Sequence, residues 1–380
     1  MIGFSLSDEH KALQEKARAF AAREMLPRAR DYDVNGTYPR DVMELAREAG
    51  LMNDIIPREY GGPGLKNLEA AIITEELGAA CMGMGTSIMA NSLALAPIIL
   101  FGNEEQKEKY LRWHTREFRI AAFCLTERDA GSDAGGLKTT AVRDGDDYIL
   151  NGDKCFTTNG GYADIYTVFA NAAPGRGPLG ITAFIVERDM GVEVGKPEDK
   201  MGQRASNQTE VHFRNVRVPA ANRLGKEGHG FKVAMGTLDR TRAGTAAGAV
   251  GIARRALEEA VAYGNARVQF GQALVRNQAI QFKLADMAMK IEAARLLTWQ
   301  AAWMADEGLP QSKQSAMAKC FAGDVAMEVT VDAVQILGGN GYSREYPVEK
   351  LMRDAKLMQI YEGTQEIQRL VIAREVAKGR

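Results

Sequence analysis

The spacing of apolar residues changes twice along this 380-residue chain, near residues 120 and 232, and no other sequence feature restricts the fold as strongly. Between these points, β-branched and aromatic runs alternate with Gly- and Asp-rich turns, as in an antiparallel β domain. On either side, apolar residues recur at the three- and four-residue steps of helices. We therefore predict an α+β multidomain fold with a helical domain at 1–120, an antiparallel β domain at 121–232 and a helical bundle at 233–380.

Long apolar stripes dominate the C-terminal third. One stripe alternates between steps of four and three residues, at Ile280, Leu284, Met287, Ile291 and Ala294. This spacing is typical of the seam of a helical bundle. Similar stripes run through 232–263, 315–336 and 347–377, so the sequence predicts an antiparallel four-helix bundle.

The N-terminal third is predicted to be helical, with one long loop. Ser7 is placed to cap a helix whose stripe includes Leu13, Ala17 and Phe20. The segment 54–64 is dense in Gly and Pro, which indicates a loop. Further helices are predicted at 39–49, 67–79, 86–101 and 104–111.

The charge balance and the scattered cysteines exclude several classes of protein. Lys plus Arg is 48 and Asp plus Glu is 49, so there is no electrostatic reason to expect nucleic acid as a partner. The four cysteines and four histidines lack metal-binding spacing, so neither a disulfide framework nor a metal site is expected. There is no secretory signal pattern and no uninterrupted apolar run of ~18 residues, so we expect no membrane insertion. A bacterial cytoplasmic protein and a trimmed protein of the mitochondrial matrix both fit.

The glycine clusters do not match a nucleotide-binding motif. Those at 225–230 and 338–341 do not lie between a parallel strand and a helix, as a dinucleotide fingerprint requires. The sequence contains no Walker A motif and no GxSxG elbow. A nicotinamide enzyme of the Rossmann type and a serine hydrolase are therefore not expected.

Two segments of the β domain carry groups suited to a cofactor. Thr126, Gly131 and Ser132 fall on a tight loop after a predicted strand, where hydroxyls and backbone N–H groups can meet carbonyl or phosphate oxygens. An ordinary polar turn is the alternative. Phe156 lies beside two threonine hydroxyls, so a flat heterocycle has a ring on which to stack. A strand that ends in a turn is the alternative there.

A third segment interrupts the last helical stripe. Glu362 lies between the apolar residues Ile360 and Ile367 and directly before a glycine. A carboxylate at a helix break beside apolar surface can have a raised pKa, which suits a general base. An acidic residue at a helix N-terminus is the plainer alternative.

Together these segments resemble the acyl-CoA dehydrogenase family over essentially the whole chain, and its medium-chain members most closely. The runs that carry the resemblance are 338–342 (GGNGY), 346–356 (YPVEKLMRDAK) and 360–364 (IYEGT). The resemblance implies the acyl-CoA dehydrogenase fold: a helical domain, a β-barrel-like domain and a helical bundle, assembled as a homotetramer or dimer. It also implies non-covalent FAD, an acyl-CoA substrate and electron-transferring flavoprotein as the electron acceptor.

The resemblance implies a role for each matching residue. Glu362 corresponds to the catalytic base, which removes the α proton while the flavin accepts the β hydride. The residues implied to contact FAD are Phe123, Leu125, Thr126, Gly131, Ser132, Phe156, Thr158, Gln278, Thr364 and Glu366. Those implied to contact FAD across a subunit boundary are Arg267, Phe270, Gln335 and Gly339. Substrate contacts are implied for Ser132, Asp239, Arg242 and Gly363.

The chain departs from the family pattern at several of these positions. Phe156 stands where tryptophan is common, and 127–129 reads Glu-Arg-Asp where Glu-Pro-Gly is usual. Some members carry the base at the position of Thr241, so this chain resembles the other type. Without the family motif, Arg242 would be interpreted as a surface cation on a helix.

Three alternative functions remain open. An acyl-CoA oxidase shares the fold but is often longer. A flavin monooxygenase or nitroalkane-oxidising enzyme on the same fold lacks a glutamate at position 362. A catalytically inactive scaffold or CoA-binding protein is disfavoured because the base and the flavin motifs occur together.

The preferred acyl chain length depends on a helix of the N-terminal domain. In the family, the acyl tail runs towards the helix that here holds Gly85, Met89 and Leu95. Gly85 and Met89 replace polar side chains of the medium-chain members, which implies a cavity at least as deep and more apolar. We expect medium-chain acyl-CoA to be preferred over butyryl-CoA. A Met89 side chain that folds back into the cavity would instead give a short-chain enzyme.

Overall fold

A computed structural model describes residues 5–379 of the chain. The N-terminal part consists of helices α1 (Asp8–Phe20), α2 (Ala29–Asn35), α3 (Arg40–Glu48), α4 (Asn67–Phe101), α5 (Glu104–Gln106) and α6 (Arg112–Arg116). The segments Ala21–Met25 and Lys107–Leu111 are π-helical turns that join neighbouring helices. The helical character predicted for this third of the chain is confirmed.

Local sequence signals explain where the first helices begin and end. Ser7 caps α1, since its hydroxyl accepts a hydrogen bond from the backbone N–H of His10 at 3.2 Å. Gly50, with φ of +67°, follows the end of α3. The two helices predicted at 67–79 and 86–101 lie on either side of a kink in α4, at Cys81, whose backbone (φ −163°, ψ 105°) is not helical. The two helices are therefore confirmed, and a kink at Cys81 separates them instead of a loop.

Helix α4 is long and apolar enough to cross a membrane by length and composition, but its surroundings are those of a core helix. In its most apolar window, 67% of the residues are buried. Its buried carboxylates Glu75 and Glu76 form ion pairs with Arg18, Arg254 and Arg295. A Cβ at Gly251 of the C-terminal part would lie only 2.2 Å from the Glu75 carbonyl oxygen, which shows how closely the two backbones approach.

The middle part forms one mixed sheet. Its strands are β1 (Ala121–Cys124), β2 (Thr140–Asp144), β3 (Asp147–Thr158), β4 (Ile165–Asn171), β5 (Ile181–Glu187), β6 (Glu193–Pro197), β7 (Gln208–Pro219) and β8 (Arg223–Leu224). The strand order is β6-β7-β3-β2-β4-β5-β8, and β1 pairs with β4. Most pairs are antiparallel, as predicted.

Two features of this sheet differ from the prediction. Strand β4 pairs in parallel with both β1 and β2, because the chain passes through the β2–β3 hairpin before it returns as β4. In the described part of the chain, the outer strands β6 and β8 do not pair with each other, so no closed barrel forms. The sheet predicted to be antiparallel is therefore mixed, and its barrel-like form does not close.

The C-terminal part is a helical bundle. Its helices are α7 (Gly230–Ala266), α8 (Gln278–Asp306), α9 (Ser312–Leu337), α10 (Val348–Met358) and α11 (Gln365–Ala377). A short hairpin, β9 (Val268–Gln269) and β10 (Gln272–Ala273), joins α7 to α8. The fourth predicted long helix is instead the pair α10 and α11, so three long helices and two short ones form the bundle.

The domain limits remain predictions. The proposed limit at 120/121 falls directly before β1, and the limit at 232/233 falls inside the first turn of α7. The break between α10 and α11 places residues 359–364 in an irregular turn that faces α7. This turn contains Glu362.

Candidate active site

A cavity of about 460 Å³ lies between α4, α7, the loop after β1 and the turn before α11. It brings together parts of all three predicted domains. The predicted cofactor and substrate residues that line it are Phe123, Leu125, Thr126, Gly131, Ser132, Phe156, Thr158, Arg242, Glu362 and Gly363. These residues are spread over 240 positions of sequence, so the fold, and not sequence proximity, assembles them.

Glu362 is held in an unusual backbone conformation. Its φ is +54°, and Gly363 follows with φ of +95°, so the chain reverses within two residues. Two carbonyl oxygens of this turn, those of Glu362 and Gly363, accept hydrogen bonds from the Gln368 amide at 2.9 and 3.2 Å. Thr364 then caps α11, because its hydroxyl accepts from the Ile367 N–H at 3.4 Å. A non-glycine residue in this region is strained, and such strain is common at functional sites.

The carboxylate of Glu362 is in an environment suited to a general base. Burial raises the pKa of this carboxyl group, while Thr241, Arg242 and Thr245 partly oppose the shift. The Thr241 hydroxyl donates a hydrogen bond to Oε2 of Glu362 at 2.9 Å. The carboxylate is therefore oriented by α7 and is more basic than an exposed glutamate.

Lys319, which sequence analysis did not identify, supports the same turn from α9. Only 1% of Lys319 is exposed, and its ammonium donates to the carbonyl oxygen of Gly363 at 2.6 Å and to Oε1 of Gln365 at 3.1 Å. Burial lowers the pKa of Lys319 to about 8, although the Glu362 carboxylate favours its charged form. A lysine on a helical stripe gives no sequence signal of this role, since its burial is decided by packing.

A buried ion pair between Lys154 and Glu127 holds the loop that follows β1. The Lys154 ammonium, fully buried, donates to the Leu125 carbonyl oxygen at 3.1 Å and to the Glu127 carboxylate at 2.7 Å. Glu127 also accepts from the backbone N–H groups of Lys138 and Thr139 at 2.5 and 3.0 Å. This leaves Thr126, Gly131 and Ser132 on the cavity side. From the sequence, residues 127–129 stand out only as a departure from the family pattern, and nothing in it signals the ion pair between Glu127 and Lys154.

Phe156 presents an aromatic ring to the cavity. A register shift between β3 and β7 falls between Lys154 and Thr157, and Phe156 within it has φ of +52°. Phe156 is 63% exposed and lines the cavity, so a planar ligand can cover its ring. Thr158 lies two residues on, and its hydroxyl accepts from the Gln208 amide at 3.0 Å.

Several predicted residues lie outside the cavity. Asp239 forms an ion pair with Arg242 and accepts a hydrogen bond from Ser312 at 2.5 Å. Arg242 itself is 3% exposed, so its interpretation as a surface cation would have been wrong. Thr364 and Glu366 occupy the first turn of α11. The remaining predicted FAD contacts are exposed and lie at the end of the bundle that holds the β9–β10 hairpin, away from the cavity. They are Arg267, Phe270, Gln278, Gln335 and Gly339.

The acyl-chain residues were only partly predicted. Met89 lines the cavity, and its methyl carbon comes within 3.8 Å of where a Cβ at Gly244 would lie. Gly85 and Leu95 do not line it, because they face Leu77 and the interior of the fold respectively. Other apolar lining residues that sequence analysis missed include Ile73, Leu77, Leu93, Ala96 and Met235.

Comparisons with known proteins agree with this arrangement along the whole chain. The family models for the N-terminal, middle and C-terminal domains of acyl-CoA dehydrogenases match residues 7–117, 122–216 and 228–377. A curated acyl-CoA dehydrogenase from Bacillus subtilis is 46% identical over 376 residues, which cover 98% of this chain and 99% of that protein.

Two solved structures are close in both sequence and fold. Butyryl-CoA dehydrogenase from Megasphaera elsdenii superimposes with a TM-score of 0.97 at 45% identity, covering 99% of this chain and 100% of that one. A chain solved in work on the electron transferring flavoprotein of Acidaminococcus fermentans has a TM-score of 0.97 at 48% identity, with 99% of both chains covered. With a buried carboxylate, a hydroxyl-lined loop and an exposed ring around one cavity, and matches over all three domains, this chain belongs to the acyl-CoA dehydrogenase family.

Proposed function

We propose that this protein catalyses FAD-dependent α,β-dehydrogenation of acyl-CoA thioesters to trans-2-enoyl-CoA, with straight medium-chain substrates preferred. The observation that carries the proposal is the position of Glu362, a carboxylate of raised pKa in the same cavity as Thr126, Ser132, Phe156 and Thr158. A base and a cofactor surface that face one cavity are what this reaction requires.

The protein's own residues position the thioester and move one proton. Glu362 removes the α proton, and the Thr241 hydroxyl holds its carboxylate towards the cavity. The backbone N–H groups of Glu362 and Gly363 are proposed to polarise the thioester carbonyl, which stabilises the developing enolate. Lys319 holds the turn that carries them. Arg242, positioned by Asp239, and Ser132 are proposed to contact the CoA part of the substrate.

The residues around Phe156 fit a flavin. The exposed ring of Phe156, the hydroxyls of Thr126 and Thr158 and the open surface at Gly131 form a cradle for a planar, polar-edged group. Members of the family depend on FAD, which supplies the hydride acceptor for the β hydrogen. Phe123, Leu125, Ser132, Gln278, Thr364 and Glu366 are proposed as further contacts. Arg267, Phe270, Gln335 and Gly339 are proposed to reach the FAD of a neighbouring subunit.

We expect the purified protein to be yellow and to hold about one FAD per chain. The reason is that the exposed Phe156 ring, with the Thr126 and Thr158 hydroxyls in the same cavity, provides a surface that a planar group with a polar edge can cover. Visible absorbance, with the released flavin quantified against protein, measures the occupancy. A protein that stays colourless after FAD is added would contradict the proposed function altogether.

We expect a homo-oligomer, and propose a tetramer. Large apolar side chains remain exposed at one end of the bundle, where Phe270 is 98% and Tyr342 is 88% exposed, and along α8, where Phe282 is 61% exposed. Such surface is usually covered in the native assembly. Light scattering measures the mass. A flavin-loaded monomer of 41.5 kDa would refute the proposal.

The electron acceptor and the compartment are part of the proposal. We propose electron-transferring flavoprotein as the acceptor, supported by the likeness to a chain from work on such a flavoprotein. Assays with that acceptor and, separately, with dioxygen distinguish a dehydrogenase from an oxidase. The bacterial source of the curated relatives favours the cytoplasm over the mitochondrial matrix.

Activity should fall as the pH is lowered through the pKa of Glu362. The base acts only when ionised, and because burial raises its pKa the loss begins at a higher pH than for an exposed glutamate. Thr241→Val removes a hydrogen bond to the ionised carboxylate of Glu362, which raises its pKa further. The acidic limb of the pH profile of kcat/KM should therefore move to still higher pH. Thr237→Val, one turn earlier on α7, is the control, since that hydroxyl bonds only to the Val233 carbonyl. An acidic limb that is the same in both variants would refute this role of Thr241.

A further inference from the structure

The cavity that contains Glu362 also contains a second carboxyl group, that of Asp54. Asp54 lies on the loop between α3 and α4 and is 8% exposed. It lines the cavity together with the apolar residues Leu51, Ile55 and Leu65 of the same loop. Neither the helical and strand patterns nor the family motifs pointed to this residue, because it falls in a segment predicted as loop.

Only one oxygen of the Asp54 carboxyl is satisfied by the protein. Its Oδ1 accepts hydrogen bonds from the Ser92 hydroxyl at 2.9 Å and from the Ile55 N–H at 3.1 Å. Across residues 5–379, Oδ2 accepts no hydrogen bond, and no lysine or arginine forms an ion pair with this group. Ser92 lines the cavity as well. Asp54 Oδ2 is not among the fully buried side-chain atoms without a partner, so it is accessible from the cavity, where a ligand hydroxyl can donate a hydrogen bond to it.

We propose that Asp54 and Ser92 form a polar subsite in the acyl cavity that binds a hydroxyl group carried by the acyl chain. This inference rests on the proposed function, since it assigns part of the same cavity to the acyl tail. A substrate hydroxyl donates to Oδ2, while Ser92 holds the carboxyl in place. An unsubstituted alkyl chain leaves Oδ2 without a partner.

The surroundings of Asp54 favour a hydroxyl over a charged group. Burial raises the pKa of this carboxyl, and the neighbouring Glu69 raises it further. A carboxyl in either protonation state accepts a hydrogen bond from an alcohol, whereas strong pairing with an ammonium group needs the ionised form. A second carboxylate on the acyl chain is disfavoured. It would meet the like charge of an ionised Asp54 or, beside a protonated Asp54, it would lose its hydration among apolar residues.

The test compares ω-hydroxyacyl-CoA with the unsubstituted acyl-CoA of the same length, from four to twelve carbons. For each length, the ratio of the two kcat/KM values is measured in the wild-type holoenzyme and in Asp54→Leu. Where the hydroxyl reaches the subsite, we expect the wild-type ratio to exceed the Asp54→Leu ratio by about tenfold or more, as for other buried hydrogen bonds to substrate. Asp189→Asn, an exposed aspartate of the β domain, is the control and should leave the ratio unchanged.

Two outcomes separate this inference from the proposed function. Ratios that agree within twofold at every length, with normal turnover of unsubstituted chains, would overturn the subsite alone. Absence of turnover of any acyl-CoA by the wild-type protein would overturn the proposed function. If Asp54→Leu fails to bind FAD, Ser92→Ala serves instead: it removes the hydroxyl that holds the Asp54 carboxyl, so the preference for the ω-hydroxyacyl-CoA over the unsubstituted chain should fall relative to wild type. A preference unchanged from wild type at every length would also refute the subsite.

Discussion

Glu362→Gln should retain FAD but lose turnover of acyl-CoA by about 10²–10⁴-fold, the usual contribution of a positioned general base. The amide has the same shape, and its oxygen can still accept the hydrogen bond from Thr241. It cannot take up the α proton. Because the left-handed turn at 362–363 is held by Gln368 and Lys319 through backbone carbonyls, the substitution leaves these contacts in place.

Stopped-flow reduction of the flavin by acyl-CoA isolates the proton-abstraction step from reoxidation. Glu307→Gln, an exposed glutamate at the end of α8, is the matched control and should behave as wild type. Flavin reduction at a near-normal rate in Glu362→Gln would place the base on another residue.

Straight acyl-CoA substrates should gain about tenfold in kcat/KM for each added pair of carbons, from butyryl-CoA until the tail meets the end of the cavity. The tail is expected to enter the space lined by Ile73, Leu77, Met89 and Leu93, and each buried CH₂ contributes ~0.8 kcal/mol. Glutaryl-CoA should be a poor substrate. The reason is that α4, towards which the acyl tail is expected to run, contains no lysine or arginine to pair with the second carboxylate; Arg240 and Arg242, which line the cavity, lie on α7.

The position of the Met89 side chain is expected to decide whether medium-chain or short-chain acyl-CoA is preferred. Its side chain lines the cavity and extends towards Gly244 on α7, which lies in the same wall as Thr241 and Thr245. Measuring kcat/KM over the straight-chain series in wild type and Met89→Ala distinguishes the two cases, with Met201→Ala, an exposed methionine, as control. A wild-type maximum at butyryl-CoA that moves to longer chains in Met89→Ala would show that Met89 closes the cavity, contrary to our expectation.

The positions of the helices and strands followed from the sequence because periodicity and capping are local properties. The change of spacing near 120 and 232 is enough to predict the α-β-α order. Ser7 and Gly50 mark helix ends through their own backbone and side chain. The role predicted for Glu362 as the base comes from the resemblance of 360–364 to the family, since the break in the last apolar stripe by itself left an acidic residue at a helix N-terminus as an alternative.

Only the tertiary structure decided what surrounds these groups. The parallel pairing of β4 with β1 depends on the path of the chain through a hairpin, which no local pattern contains. The raised pKa of Glu362 comes from burial, and the Thr241 hydroxyl that partly opposes this rise lies 121 residues away in sequence. Burial of Lys319 and Asp54, and the presence of Met89 but not Gly85 in the cavity wall, depend in the same way on packing between distant segments. Desolvation and hydrogen bonding act between groups that the fold brings together, and a pattern of neighbouring residues cannot report them.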